Sequence, residues 1–216
     1  MIGIIFTGGE GPDLRAIKGL LDDLANEEIL IVAADSGLEL AEDAGIKPDW
    51  VVGDMDSIDN EKQLSHYPKE RVIYYPVDKD YTDTEIALTL LWEKGCEDAW
   101  IVGGGGGRLD HIFGIRDLFE RDPYPCRWIT ANEDIRCIDG ADKKNNSLNL
   151  GVGQGKLVSI FPLGDGPWEA SSSGLKWELG NAHWKRGLFG LSNVALLNEE
   201  IEINVKRGRF MIILEK

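Results

Sequence analysis

The chain has 216 residues, 43% of them hydrophobic and 28% charged, which is the make-up of a globular protein with room for one large domain or two modest ones. Its 38 acidic and 23 basic side chains leave a net charge of −15, which argues against a nucleic-acid backbone or an anionic membrane surface as the main partner. A small anionic substrate stays compatible with that balance if a metal ion neutralises it locally.

The three cysteines, Cys96, Cys126 and Cys137, have neither zinc spacing nor a disulfide framework, as expected for a reducing cytosol. The opening Met1-Ile2-Gly3-Ile4-Ile5-Phe6 lacks the basic region of a signal peptide. No apolar run approaches the roughly 20 residues of a membrane span. The expected location is the cytoplasm.

In chain order, Ile2 to Phe6 reads as a short buried strand. The glycine-rich Thr7-Gly8-Gly9-Glu10-Gly11-Pro12 then leads into a helix from about Leu14 to Ala25, apolar at Leu14, Ile17, Leu20, Leu21 and Leu24. Such a loop can present backbone N–H groups to phosphate, but it matches neither the dinucleotide fingerprint nor the P-loop. Ile29 to Ala34 is a second strand, ending at Asp35-Ser36-Gly37, and a short helix follows it as far as Gly45. The third strand, Trp50-Val51-Val52, runs into Gly53-Asp54-Met55-Asp56-Ser57. Strands separated by helices indicate a parallel sheet, so Asp35, Asp54 and Asp56 fall at the carboxyl ends of strands, where open α/β sheets bind ligands. Oxygen ligands of this kind suit magnesium shared with phosphates; a plain polar turn is the alternative.

Arg71 to Tyr75 is a fourth strand. Beyond it, Lys79-Asp80-Tyr81-Thr82-Asp83-Thr84-Glu85 carries a capping box, Thr82-x-x-Glu85, that opens a helix with Asp83 in its first turn. Asp83 there either complements the helix dipole or adds to the acidic group. Trp100-Ile101-Val102 is a fifth strand, followed by Gly103 to Gly107 and by Arg108-Leu109-Asp110-His111 at the head of another helix. The glycines are either a linker or a place of close backbone approach to a ligand. From about Arg127 helical periodicity gives way to short β-like runs: Leu157 to Phe161, Trp177-Glu178-Leu179, Ile201 to Val205 and Phe210 to Leu214. The last two flank Lys206-Arg207-Gly208-Arg209 like a hairpin, and Asp142 to Asn149 reads as a linker or loop. The expectation is an α/β domain over 1–140 with a Rossmann-like parallel sheet, followed by a smaller all-β sandwich over 141–216.

Asp35, Asp54, Asp56, Asp80, Asp83 and Asp110 thus gather in the first half, a concentration of like charge that costs stability unless cations occupy it. Lys79 and Arg108 are candidates to hold phosphate oxygens. The set suits transfer from a nucleoside triphosphate, where positioning and charge neutralisation carry most of the catalysis. The alternatives are a magnesium-dependent kinase for another small alcohol and a non-catalytic cation- or nucleotide-binding module.

The same residues carry a resemblance. Asp35-Ser36-Gly37, Pro48-Asp49-x-x-x-Gly53-Asp54-x-Asp56-Ser57, Lys79-Asp80-x-Thr82-Asp83 and Gly106-Gly107-Arg108-Leu109-Asp110-His111 are followed by Ser173-Gly174-Leu175-Lys176-Trp177 and Ser192-Asn193. In that order the chain resembles the thiamine pyrophosphokinase family from Gly8 to Gly208. One departure is Ser36-Gly37, where the family usually has two glycines. The resemblance implies transfer of the pyrophosphoryl group of ATP to the hydroxyl of thiamine, giving thiamine diphosphate and AMP, by a homodimer with sites between subunits. It implies Asp54, Asp56 and Asp83 as magnesium ligands. Asp35, Lys79, Asp80, Thr82, Gly106, Arg108 and Asp110 would lie along the nucleotide, with Asp35, Asp83 or Asp110 accepting the hydroxyl proton. Trp177 would stack on the thiamine ring, with Ser192 and Asn193 as its polar neighbours.

Overall fold

The computed structural model describes residues 1–55, 61–151, 155–196 and 199–216, with residues 61 and 62 described in backbone only. Asp56 and Ser57 lie outside the described residues. The chain divides into two compact units, Met1–Ala131 and Asn132–Lys216.

In the first unit strands and helices alternate: β1 (Ile2–Thr7), α1 (Leu14–Asp23), β2 (Ile29–Ala34), α2 (Gly37–Asp43), β3 (Trp50–Gly53), α3 (Glu61–Leu64), β4 (Val72–Tyr74), α4 (Asp83–Glu93), β5 (Asp98–Gly103), α5 (Leu109–Leu118) and β6 (Arg127–Ile129). The strands form a parallel sheet in the order β4-β3-β2-β1-β5-β6. Continuous apolar runs become its central strands because both faces are covered, as parallel sheets require. Ile4, Phe6, Ile31 and Val102 from the strands meet Ile17, Leu20 and Leu24 on one side of α1 and just beyond its end. Helix α4 buries Ile86, Ala87, Leu88, Leu90 and Leu91. Asp13 caps α1, its carboxylate accepting from Ala16 N–H at 2.8 Å.

The strand order reverses between β1 and β5, the position where open α/β sheets leave a crevice beyond their carboxyl ends. The two glycine-rich segments leave from these two strands and pair with each other. Glu10 N–H donates to Gly105 O at 2.6 Å, Gly105 N–H returns to Glu10 O at 3.0 Å, and Gly104 N–H donates to Gly8 O at 3.0 Å. Gly103 turns there at φ +99°, and a Cβ on it would stand 2.2 Å from the Thr7 carbonyl oxygen. The five-glycine run is a close approach between two backbones rather than a linker.

The second unit contains β7 (Glu133–Asp139), β8 (Ser147–Leu150), β9 (Leu157–Leu163), β10 (Glu169–Ser173), β11 (Gly190–Val194), β12 (Ile201–Arg207) and β13 (Arg209–Glu215). Within it β7-β13-β9-β11 form one antiparallel sheet and β8-β12-β10 another. Both supply one core: Ile138, Ile160, Phe210 and Ile212 from the first meet Ala170, Ile201, Ile203 and Val205 from the second. On β12 the alternation is complete, with Ile201, Ile203 and Val205 buried and Glu202, Asn204 and Lys206 exposed.

Several expectations change. The units meet at 131/132 rather than 140/141, because β7 is an antiparallel partner of β13 over its full length. Residues 127–129, expected to open the β-rich half, form β6 alongside β5 in the parallel sheet. β12 and β13 are not a hairpin: they pair in different sheets, and Gly208, at φ +73°, turns the chain from one to the other. The segment 142–149 is no linker, since Asp142 N–H and Asn145 N–H close turns onto Asp139 and Asp142 and the chain then enters β8. Trp177-Glu178-Leu179 is not a strand; Leu179–Asn181 is a 3-10 helix. It is tied to β10 by Ser172, whose hydroxyl donates to Glu178 and accepts from Leu179 N–H. Among the described residues no helix is long and apolar enough to cross a membrane.

Candidate active site

Three carboxylates converge from the ends of two strands and the start of a helix. Asp35 follows β2, Asp54 follows β3 and Asp83 is the first residue of α4; one oxygen from each lies within 4.8 Å of the others. The elements place them. The backbone N–H of Asp35 donates to Val52 O on β3 at 2.9 Å, and its φ of +48° turns the side chain out of the strand direction. A non-glycine residue in that region stores strain, which persists where the surrounding structure over-determines it. Gly53, at φ +146°, leaves the space the acids occupy: a Cβ there would stand 3.2 Å from Asp83 Oδ1 and 3.3 Å from Asp35 Cα and Cβ. Asp83 is held by the capping box expected from the sequence, with Thr82 Oγ1 accepting from Glu85 N–H at 3.2 Å and Glu85 accepting from Thr82 N–H at 2.8 Å. The buried hydroxyls of Thr7 and Thr84 share a hydrogen bond of 2.7 Å that joins the end of β1 to the start of α4.

Lys79 enters this group from the segment before α4. Its Nζ donates to Asp54 Oδ2 at 3.0 Å and lies 3.2 Å from Asp83 Oδ1. The second contact is an ion pair outside hydrogen-bond geometry, and Asp83 Oδ1 is a buried oxygen without a hydrogen-bond partner, as is Asp35 Oδ1. Burial works against the charge on Lys79, but Asp54 and Asp83 outweigh it and hold the ammonium above its ordinary range. Burial pushes the Asp83 carboxyl up; Lys79 draws it part of the way down, and the charges of Asp54 and Asp35 raise it again.

This donor set fits a magnesium ion. The ligands are all oxygens, two of them are buried without hydrogen bonds, and one ammonium leaves the like charges incompletely balanced.

The remaining expected residues stand as follows. Asp80 is exposed, and Thr82 serves as the helix cap. Gly106 sits at φ +62° against the Glu10 side chain. Arg108 and Asp110 pair with each other in the open: Nη2 donates to Oδ2 at 2.6 Å and Nε to Oδ1 at 3.2 Å. That pairing raises the guanidinium and lowers the carboxyl from their ordinary values. The acids that converge with Asp83 are therefore Asp35 and Asp54, while Asp110 is engaged by its own neighbour. Ser36 makes no capping bond to α2; its hydroxyl fills the place over Gly8 where a Cβ would otherwise stand.

In the second unit Trp177 is 56% exposed, with Lys176 Nζ 4.5 Å from its ring centroid. Asn193 is buried and spends its amide on the Trp177 backbone, accepting from N–H at 3.1 Å and donating to the carbonyl at 2.7 Å. Ser192 is exposed at φ +54°, its N–H donating to Ser159 Oγ at 3.1 Å. Sequence reasoning missed two links, the Lys79–Asp54 pair and the Thr7–Thr84 bond. Neither leaves a local signal, because the partners are 25 and 77 residues apart.

The molecule is thus a two-unit α/β protein with acidic side chains gathered beyond the carboxyl ends of parallel strands. Two family models match, "Thiamin pyrophosphokinase, catalytic domain" over residues 21–121 and "Thiamin pyrophosphokinase, vitamin B1 binding domain" over residues 145–210. The thiamine pyrophosphokinase of Bacillus subtilis strain 168 is 30% identical over 205 residues, 89% of this chain and 88% of that protein. Thiamine pyrophosphokinase 2 of Arabidopsis thaliana is 30% identical over 165 residues, 72% of this chain and 60% of that one. Among solved structures, thiamine pyrophosphokinase from Bacillus subtilis superposes with a TM-score of 0.77 at 25% identity, covering 100% of this chain and 98% of that one. The enzyme from Geobacillus thermodenitrificans gives 0.73 at 26%, with coverage of 100% and 98%. The chain belongs to the thiamine pyrophosphokinase family of enzymes.

Proposed function

We propose that the protein transfers the pyrophosphoryl group of ATP to the hydroxyethyl oxygen of thiamine, giving thiamine diphosphate and AMP. The observation that carries this reading is the convergence of Asp35, Asp54 and Asp83 within 4.8 Å, in a chain whose two halves match the two halves of the family.

In this reading Asp54 and Asp83, with Asp56, hold magnesium, and Asp35 completes the acidic wall. Magnesium when bound supplies neutralisation of charge on the phosphate oxygens. The Rossmann-like first unit receives ATP at the reversal between β1 and β5, where the paired glycine segments offer backbone close to the polyphosphate. Arg108 and Lys79 bind phosphate oxygens, the first as a planar fork and the second as a point charge. Asp35, Asp83 or Asp110 accepts the hydroxyl proton as the thiamine oxygen attacks the β-phosphorus in line with departing AMP. Trp177 presents an exposed ring to the cationic thiazolium, a favourable cation–π partner, with Ser192 beside it. Asn193 acts on the Trp177 backbone, since its amide is already engaged there. A homodimer in the cytoplasm, with sites between subunits, completes the reading.

Phosphorus NMR of the protein with ATP and magnesium, with and without thiamine, tests it. Thiamine-dependent AMP together with a new diphosphate ester is expected. ADP as the product would mean a single-phosphate kinase, and absence of turnover with any small alcohol would leave a binding protein; either overturns the proposal.

A further inference from the structure

Lys79 stands where a cation is wanted. Its ammonium reaches Asp54 Oδ2 at 3.0 Å and Asp83 Oδ1 at 3.2 Å, and its side chain is only 12% exposed. The carboxylates it touches are two of the three that converge within 4.8 Å. An ammonium and a divalent ion on the same carboxylates repel each other in a half-buried site, so each weakens the hold of the other. The segment that carries Lys79 is not anchored in the core: Asp78 and Asp80 are exposed, and Val77 and Tyr81 are 70% and 63% exposed.

We propose that Lys79 is a built-in counter-ion of the metal-free site, which competes with the divalent cation for Asp54 and Asp83 and is released toward the phosphates when the metal enters. This rests on the magnesium reading given above. It ascribes to one residue two successive positions: first it offsets the repulsion among the carboxylates, then it supplies positive charge for the polyphosphate. It also means that metal affinity is held down in the absence of nucleotide, because each binding event must displace two ion pairs. With nucleotide present the freed ammonium gains new anionic partners, so metal and nucleotide bind with positive coupling.

The test is direct binding of Mn2+ in the absence of nucleotide, followed by electron paramagnetic resonance, for the wild type, Lys79→Met, Lys79→Arg and Asp54→Asn. Lys79→Met keeps the length of the side chain and removes its charge, so it is expected to bind Mn2+ roughly tenfold more tightly than the wild type. Lys79→Arg keeps the competing charge and is expected to stay near the wild type, a contrast that a purely structural role would not produce. Unchanged or weaker Mn2+ binding by Lys79→Met, with binding still abolished by Asp54→Asn, overturns the exchange while leaving the metal site standing. Absence of Mn2+ binding in the wild type and in Lys79→Met overturns the exchange and the metal reading together. A measurement on the wild type stands independent of whether the variants fold: the Lys79 ammonium resonance in 1H–15N NMR. Its shift during a titration with Mg2+ alone is the expected result, and a resonance unmoved at saturating Mg2+ overturns the proposal.

Discussion

Asn193 holds the backbone of Trp177 at both of its polar groups, accepting from the N–H at 3.1 Å and donating to the carbonyl oxygen at 2.7 Å. The tryptophan ring lies over the surface, yet the chain that carries it is fixed by a buried amide from a strand sixteen residues on. A residue that lies between a 3-10 helix and a bend has no ladder to hold it, so the amide supplies what a sheet would have supplied.

Asn193→Ala is expected to leave both backbone groups of Trp177 short of a partner and to lower stability by about 1–3 kcal/mol. If Trp177 receives thiamine, the variant raises KM for thiamine while KM for ATP stays near its original value. Thermal unfolding and steady-state kinetics with each substrate varied in turn check the two halves of this expectation.

Gly53→Ala tests how tightly the carboxylates are set. The added Cβ would stand 3.2 Å from Asp83 Oδ1 and 3.3 Å from Asp35 Cβ, at a φ of +146° that side-chain-bearing residues rarely adopt. The cost of that backbone conformation is on the order of 1–3 kcal/mol, and the carboxylates must also move apart. Loss of Mn2+ affinity alongside a lowered Tm is expected; an alanine variant with wild-type affinity would show that the spacing of the acids does not matter.

The cap of α4 makes stability depend on acid pH. Burial raises the Glu85 carboxyl, but Thr82 N–H and Arg121, whose Nη1 lies 2.6 Å from Glu85 Oε1, outweigh it and hold it below its ordinary value of 4.5. The folded value being the lower one, this contribution is fully present above pH 4.5 and is lost as the pH falls through the folded value. Glu85→Gln cannot titrate, so the wild type should be the more stable of the two at pH 7, with the difference in Tm shrinking below pH 4.5. Thr82→Ala, which removes the other half of the box, should cost about 1 kcal/mol at neutral pH.

The parallel half was readable because its strands are buried on both faces and so appear as unbroken apolar runs, each ending at a turn residue. For the same reason Asp35, Asp54 and Asp56 could be placed on one edge of the sheet before any geometry was known, whereas Asp83 was readable only as an acid in the first turn of a helix. The antiparallel half was harder. Ile201 to Val205 and Phe210 to Leu214, joined by Lys206-Arg207-Gly208-Arg209, carry every local mark of a hairpin, yet each strand finds its partners elsewhere. Alternation tells which face of β12 is buried but not which strand lies beside it, because pairing between sheets is decided by a shared core remote in sequence. β6 went unrecognised because three residues, one of them Arg127, are too few to show a period. The exposed pairing of Arg108 with Asp110 was equally invisible, since motif order says nothing about which charge a flexible side chain meets first.

Asp83→Asn separates the stability of the site from its use. Asp83 is raised from its ordinary value because burial and the neighbouring charges of Asp54 and Asp35 outweigh the help it receives from Lys79. A neutral amide of the same shape avoids both penalties and leaves Lys79 its hydrogen bond to Asp54 at 3.0 Å. The metal-free variant is therefore expected to unfold at a higher temperature than the wild type at pH 7. Turnover should fall by more than the roughly 10- to 100-fold that is usual for groups one step removed from a metal, because Asp83 is itself one of the three converging carboxylates. Magnesium should raise the Tm of the wild type and leave that of the variant nearly unchanged. A variant that gains no stability, or that still responds to magnesium as the wild type does, would mean that the acidic cluster is balanced by some other means than a bound cation.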